Sequence, residues 1–461
     1  MEFINHTPFP ALAFAGIDTR EQAFHVVVLR QTLTWAADGT LHFADTQLPL
    51  CEEDRFFGEM NLSSVRQESD LCHYKPKCDV IVNGVAYPPP NKHRFSVRLK
   101  VSEPASSASL PPKPRGLNPL TMPDEKSMRE WRRQVELAKK TMVPGRCLID
   151  KALTVTGERH FVRRSWLSRT IGSLIRANKW RLTAPSKATP TPMRYELAFG
   201  GQCRANVGDA VKVAKKYRLT ETQLASHPDA GKPADLIPIA HQVFAANPCG
   251  RGYATQWHID AFGYAKIPAP LIEDPAQPIT AALFESYRRQ SGRSLPALPL
   301  AGFGIRPKSH PDRAKLVGTI DDAFINSDAP LPEDFDFAVW NAAPEDQQTD
   351  FLRGDEVIEM TNLCAADTPG IVRDEKGNTR LVLTLPGHLP FMLVRFENGG
   401  IGELVANLDT LFIEPEERRI SCVWRATLAT EPRVRVLEAR MLERSDVVAL
   451  REQQSVEVAH G

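Results

Sequence analysis

The chain has 461 residues, with 57 Lys and Arg against 56 Asp and Glu and a formal net charge of +1. This balance excludes a nucleic-acid binder driven by overall charge and an acidic-tail protein, leaving electrostatics to local patches. Charged residues at 25% and hydrophobic ones at 42% describe a globular chain, while 37 prolines, well above the usual share of about 5%, shorten helices and favour loops, turns and sheet edges.

At the N-terminus, Met1-Glu2-Phe3-Ile4-Asn5-His6 has no basic region, and Pro8 and Pro10 interrupt the apolar stretch. No apolar run approaches the roughly 20 residues of a membrane helix, so a cytoplasmic protein without membrane insertion is expected. Strand patterns follow at Phe24 to Leu33 and at Cys78 to Tyr87, whose Val80-Ile81-Val82 run stops at Asn83-Gly84. Phe95, Val97, Leu99 and Val101 then alternate with polar residues, the period of a half-buried strand. Ser102 to Pro123 carries Pro104, Pro111, Pro112, Pro114, Pro119 and Pro123 and reads as a linker or insertion. Met128, Trp131, Val135, Ala138 and Met142 recur at helical spacing, with Pro123 and Asp124 suited to the first turn and Pro144-Gly145 ending the helix. Cys147 to Val162 reads as a strand-rich stretch, and Trp166 to Trp180 as a short helix.

From Ala184 to Pro311 proline and glycine recur every few residues, which predicts long ordered loops rather than regular elements. Strands return at Val357 to Leu363, Leu381 to Leu385, Phe391 to Phe396, Glu403 to Ile413, Ile420 to Thr427 and Val434 to Leu442. The expected fold is mainly β, with β-sandwich-like sheets, long Gly/Pro-rich loops and a few short helices, and α+β overall. The eight cysteines (Cys51, Cys72, Cys78, Cys147, Cys203, Cys249, Cys364, Cys422) contain no Cys-x-x-Cys pair and read as buried reduced thiols.

Phosphate-loop, dinucleotide-binding, nucleophile-elbow and zinc-protease signatures are missing from the sequence. Cys72-His73 with Cys78 lacks a second pair at metal spacing, and His258-Ile259-Asp260 offers a base and an orienter without a nucleophile. His-Pro-Asp occurs at His227 and at His310; flanking Pro and Gly argue for a turn with Pro at the first helical position rather than a co-chaperone loop. More distinctive are knots of glycine, proline and aromatic residues that fix unusual backbone angles, such as Phe199-Gly200-Gly201 and Asn247-Pro248-Cys249-Gly250.

Taken in order, these knots resemble a bacterial family long catalogued as a domain of unknown function, encoded beside type VI secretion spike proteins and acting as effector adaptors or chaperones. The resemblance runs through Glu68-Ser69-Asp70, Lys75-Pro76-Lys77-Cys78-Asp79, Gly84-Val85-Ala86-Tyr87-Pro88, Tyr195 to Gly201, Asn247 to Gly250 and Leu271 to Pro275. It continues in Gly318 to Asp321, Leu331 to Asp336, Ala343 to Gln348, Leu408-Asp409-Thr410 and Val423-Trp424-Arg425. Gly157-Glu158-Arg159 stands where the family usually has Gly-Asp-Arg, and Ser102 to Gly145 does not follow the usual pattern. The expected organisation is an N-terminal β-rich part of the adaptor domain (1–101), a Pro-rich linker with an amphipathic basic helix inserted (102–145), the remainder of that domain (146–445) and a polar tail (446–461).

The resemblance implies a non-catalytic protein that binds a type VI secretion effector in the cytoplasm and delivers it to the VgrG spike, with no cofactor, metal or nucleic acid. Trp131, Arg132 and Arg133, beside the linker, are the candidate partner contacts. The motif residues Lys75, Lys77, Asp79, Gly84, Tyr87, Phe199, Gly200, Gly201, Asn247, Pro248, Gly250, Asp321, Asp409, Trp424 and Arg425 are expected to be structural, as internal ion pairs and turn ligands. The alternatives are an enzyme of unrecognised chemistry built on Gly-rich loops with His241, His258 and Asp260, and a structural component of the secretion machine.

Overall fold

The computed structural model describes residues 1–60, 62–105, 125–140, 143–164, 179–289 and 298–443. Its centre is a seven-stranded sheet in the order Ala11–Ile17, Ala23–Trp35, Arg419–Ala429, Asn407–Glu414, Cys78–Val82 and Gln348–Thr349, with Leu41–Phe43 paired to the second strand. All pairs are antiparallel except Asn407–Glu414 with Cys78–Val82. The unbroken Val26 to Leu29 run fits this central place, because a strand covered on both faces has no reason to alternate.

A six-stranded sheet, in the order Ile272–Glu273, Cys147–Thr156, Arg94–Ser102, Val357–Thr361, Thr379–Thr384 and Val372–Arg373, contributes to the same core. So does a four-stranded one built from Glu2–Asn5, Val434–Leu442, Leu389–Phe396 and Ile401–Val405. Leu29, Leu33, Val80, Leu411 and Trp424 from the seven-stranded sheet meet Val97, Leu99, Leu153, Met360, Leu383 and Val394 in one continuous apolar cluster. Phe95, Val97, Leu99 and Val101 are all buried, as their alternation requires. The fold is thus mainly β and α+β overall.

Three elements depart from expectation. The stretch after Ala184 is not merely loop. Short helices at Glu221–Ala225, Gln256–Phe262 and Ala281–Arg289, with the paired strands Gln202–Asn206 and Pro238–Val243, surround a second apolar core. Aromatic rings hold these short pieces together: Phe161 stacks on Phe284 at 4.2 Å, and Trp180, Phe199, Trp257 and Tyr287 fill the space around them. The predicted strand from Glu403 to Ile413 is two strands, broken at Ala406. Of the helix predicted from Trp166 to Trp180, residues 166–178 lie outside the described residues, and Trp180 itself opens the strand Trp180–Leu182.

The segment after Ser102 is an excursion from the end of a strand pair. Ser102 lies opposite Cys147, and the Glu103 amide donates to the Arg146 carbonyl at 2.9 Å. Within it the helix Glu125–Lys140 forms as its apolar spacing predicts; Pro111 to Asp124 lie outside the described residues. No helix among the described residues is long and apolar enough to cross a membrane.

All eight cysteines are free thiols, and only Cys147 is exposed. Burial pushes up the thiols of Cys51, Cys72, Cys78, Cys203 and Cys422, and takes Cys249 to about 11 and Cys364 to about 12. Since the thiolate is the reactive form, brief treatment of the native protein with iodoacetamide at neutral pH is expected to give one adduct, on Cys147. Mass spectrometry reads the outcome, and early labelling of Cys249 or Cys364 would contradict it.

Candidate functional site

In the seven-stranded sheet, residues that alternate with the core positions point to the opposite face. Val80, Val82, Leu411 and Ile413 belong to the main core, whereas Ile81 and Phe412 join a separate cluster with Val65, Ile305, Ala342 and Ala343. That second face carries charge. Asp79, fully buried, accepts from Lys75 Nζ at 2.9 Å, from Asn341 Nδ2 at 3.2 Å and from the amides of Ala342 and Ala343 at 2.9 and 3.2 Å. Lys75 also donates to Thr410 Oγ1 at 2.8 Å, and that hydroxyl donates to Asp409 at 2.9 Å. Asp409 takes Arg425 Nε at 2.6 Å, and Arg425 donates onward to the Cys72 carbonyl at 2.7 Å. A register shift between Leu408 and Thr410 lets Asp409 bulge out of the ladder toward Arg425.

Beside this chain Arg30 pairs with Asp70 at 3.3 Å, and Asp70 accepts the Cys51 amide at 2.7 Å. The buried groups Arg30, Lys75 and Arg425 balance Asp70, Asp79 and Asp409. Burial acts to lower the basicity of Lys75 and Arg425, but Asp79 and Asp409 respectively hold both above their ordinary values. Burial outweighs Arg30 at Asp70 and pushes its carboxyl up. A network of this kind is expensive to break at one partner and gives limited net stability when whole, so its main product is geometry: it fixes the segments 49–77 and 305–343 over the sheet.

Further buried polar groups lock that roof. Arg313 clamps Glu68 through both terminal nitrogens at 2.6 Å and donates to the carbonyls of Arg306 and Val339. Gln347 donates to the carbonyls of Val80 and Phe303 and accepts Lys151 Nζ at 2.8 Å. Asn247 Nδ2 bridges the carbonyls of Tyr195 and Phe199 at 2.8 and 3.0 Å. Gly200 and Gly201, at φ 155° and 118°, let the chain pass against the Asn247 carbonyl, which accepts the Gly201 amide at 2.8 Å. A Cβ on Gly250 would lie 2.4 Å from Asn247 Nδ2.

Two clefts open on either side of the segments 243–249 and 305–312. The larger, about 760 Å³, lies between the two apolar cores and is lined by Leu153 from one and Phe244 and Tyr253 from the other, with Lys151, Arg306 and His310 also on its wall. The smaller, about 370 Å³, is bordered by Ser64, Glu68, Tyr195, Asn247, Pro248 and Cys249. Ser64 Oγ donates to Glu196 and accepts the Tyr195 amide at 3.1 Å, so its hydroxyl is already engaged.

The remaining predicted residues fall into distinct places. Trp424 is buried and donates to Gln31 at 3.2 Å. The Tyr87 hydroxyl donates to Glu416 at 3.2 Å, and burial with that carboxylate raises it to about 12. Gly84 packs beside Pro415, and its carbonyl accepts the Met193 amide. Phe199 contacts Phe244 and Tyr287 in the second core. Asp321 is an exposed N-cap that accepts the Phe324 amide at 2.9 Å.

Lys77 departs from the internal ion pair expected of it. It is exposed and serves through its carbonyl, which accepts Asn341 Nδ2 at 2.8 Å. Lys77→Ala is therefore expected to change the unfolding free energy by no more than about 0.5 kcal/mol, measured by urea denaturation; a loss like that of a buried pair would contradict this placement.

Trp131, Arg132 and Arg133 do form part of a helix, but consecutive helical residues are about 100° apart. Trp131 is half-buried on the Met128 and Val135 side, while Arg132 and Arg133 are exposed, so the three do not make a single point. His258 and Asp260 do not pair: His258 Nε2 faces the Arg204 carbonyl at 3.2 Å and Asp260 takes Gln256 at 2.6 Å. His241 lies against Gln202 at 3.1 Å. His73 packs on Phe14 and Phe24, apart from any metal-ligating cluster among the described residues. Both His-Pro-Asp copies are turns in which the histidine ring accepts the Asp amide, and Pro311 takes the first helical position after His310.

Sequence reasoning missed Arg30, Lys151, Arg306 and Arg313. For Arg30 the signal was a charge inside the apolar run Val26 to Leu33, since such a residue on a two-sided strand must find a partner. The others carried no local signal.

Fold and site together define an α+β protein of large mixed sheets, with a neutral charge network buried beneath its loops and a cleft between two cores. The chain belongs to the family described as "Uncharacterized protein conserved in bacteria (DUF2169)", which matches residues 20–109 and 121–425. The second stretch begins four residues before the helix Glu125–Lys140, so the helix lies within the family's range and only 110–120 falls between the stretches. Comparison with curated proteins and with solved structures gave no match.

Proposed function

We propose that the chain is a non-catalytic adaptor or chaperone that binds a type VI secretion effector in the cytoplasm and delivers it to the VgrG spike. The observation that carries this reading is the fate of the motif residues. Lys75, Asp79, Asp409, Trp424 and Arg425 are buried in internal contacts away from both clefts, and Asn247, at the border of the smaller one, spends its side-chain amide on two backbone carbonyls. They support a large rigid body whose surface is left for recognition. Handover needs an interface that is polar and wet, with a few aromatic or Arg anchors, because the cargo must be released.

Co-expression with the neighbouring effector and spike genes tests this: the chain should co-elute with the effector in size-exclusion chromatography, and absence of any complex would end the proposal. Replacing Trp131, Arg132 and Arg133 together by Ala is expected to weaken effector binding by about tenfold or more, the loss of one or two anchors, with an unchanged unfolding midpoint. Unaltered affinity would remove the helix from the interface.

A second reading, an enzyme, is favoured by one feature, the titratable groups that line the larger cleft. Burial lowers the basicity of both Lys151 and His310, and Asp346 lies 2.9 Å from Lys151 Nζ.

A further inference from the structure

Six arginines are buried among the described residues. Arg30, Arg159, Arg288, Arg313 and Arg425 each hold a carboxylate, of Asp70, Glu273, Glu285, Glu68 and Asp409 respectively. Arg306 alone does not. It is only 6% exposed and its side chain lines the larger cleft; its Nε, like those of Arg30 and Arg288, is buried without a hydrogen-bond partner, but no carboxylate reaches its guanidinium among the described residues. An unpaired buried guanidinium is strongly destabilising, and its planar fork of donors matches a carboxylate. The pairing of the other five shows what this interior demands of such a group.

The surroundings narrow the ligand. Asp274, Asp312, Glu345 and Asp346 also line the cleft, and their charge disfavours a polyanion such as a phosphate while favouring basic groups next to a single carboxylate. Leu153, Phe244 and Leu300 supply apolar wall. The nearby Lys151 ammonium is already taken by Asp346 and Gln347. We propose that Arg306 receives the C-terminal carboxylate of a partner polypeptide, with an apolar last side chain against Leu153 and Phe244 and basic residues before it facing the acidic groups. The assignment rests on the adaptor reading for the partner being a protein, and it places one docking point between the two cores.

The test is calorimetric titration of the full chain with N-acetyl-Lys-Lys-Leu as the free acid, with the same peptide as its C-terminal amide, with N-acetyl-leucine and with inorganic phosphate. The free acid should bind at least about tenfold more tightly than the amide, as expected for loss of a charge-assisted pair, and more tightly than N-acetyl-leucine or phosphate. Arg306→Gln should abolish the preference for the acid without lowering the unfolding midpoint, because it removes an unpaired buried charge. Equal binding of acid and amide, or no binding of the acid at millimolar concentration, would overturn the proposal. Phosphate binding as tight as the acid would overturn the carboxylate, and N-acetyl-leucine binding as tight would overturn the chain terminus. Effector co-elution with a parent chain that shows no acid preference refutes this site alone, whereas an acid preference without a co-eluting effector refutes the adaptor reading alone.

Discussion

Asp79→Ala is expected to cost about 3–5 kcal/mol of folding free energy, the usual penalty for stripping one partner from a buried ion pair. Four donors converge on this carboxylate: the Lys75 ammonium, the Asn341 amide and the backbone N–H groups of Ala342 and Ala343. Alanine leaves the ammonium buried with Thr410 alone and frees the 341–343 loop from the sheet. In urea the unfolding midpoint should fall by about 1–2 M. Replacing Lys75 and Asp79 together by Met and Leu should restore part of the loss, since apolar substitution of a whole buried pair is often tolerated. A midpoint within error of the parent for Asp79→Ala would mean that the network does not anchor the roof.

The second large effect is expected at Gly200→Ala. A Cβ there would stand 2.2 Å from the Asn247 carbonyl oxygen and 2.7 Å from the Asn247 Cβ, on a backbone with φ of +155°. Backbone strain and overpacking each cost about 1–3 kcal/mol, so a combined loss of about 2–5 kcal/mol is expected. The damage should spread to the Asn247 contacts with Tyr195 and Phe199, which join the smaller cleft to the second core. Gly208 and Gly231 are the controls: a Cβ at either meets nothing within 4 Å, and alanine there should be neutral or slightly stabilising. Thermal unfolding that ranks Gly200→Ala with the two controls would refute the close approach.

Legibility in the sequence followed the range of the interactions involved. The Arg94–Ser102 strand and the Glu125–Lys140 helix were readable because periodicity is local. The second core was not, because its parts are short helices and strands joined by rings from positions as distant as Phe161 and Phe284, and such pairing leaves no period in the sequence. The motif residues were recognisable as fixed points, yet their partners were not: Lys75 meets Asp79 four residues away but also Thr410. Lys77, in the same short motif, turned out to act through its backbone. Arg306 was invisible, since what distinguishes it is the lack, among the described residues, of the carboxylate that five other buried arginines have.

Export of the effector tests the central claim most directly. Deleting the gene for this chain in its native bacterium should remove the neighbouring effector from the medium while export of the spike continues, and the chain itself should stay inside the cell. Undiminished effector export after deletion would contradict the account.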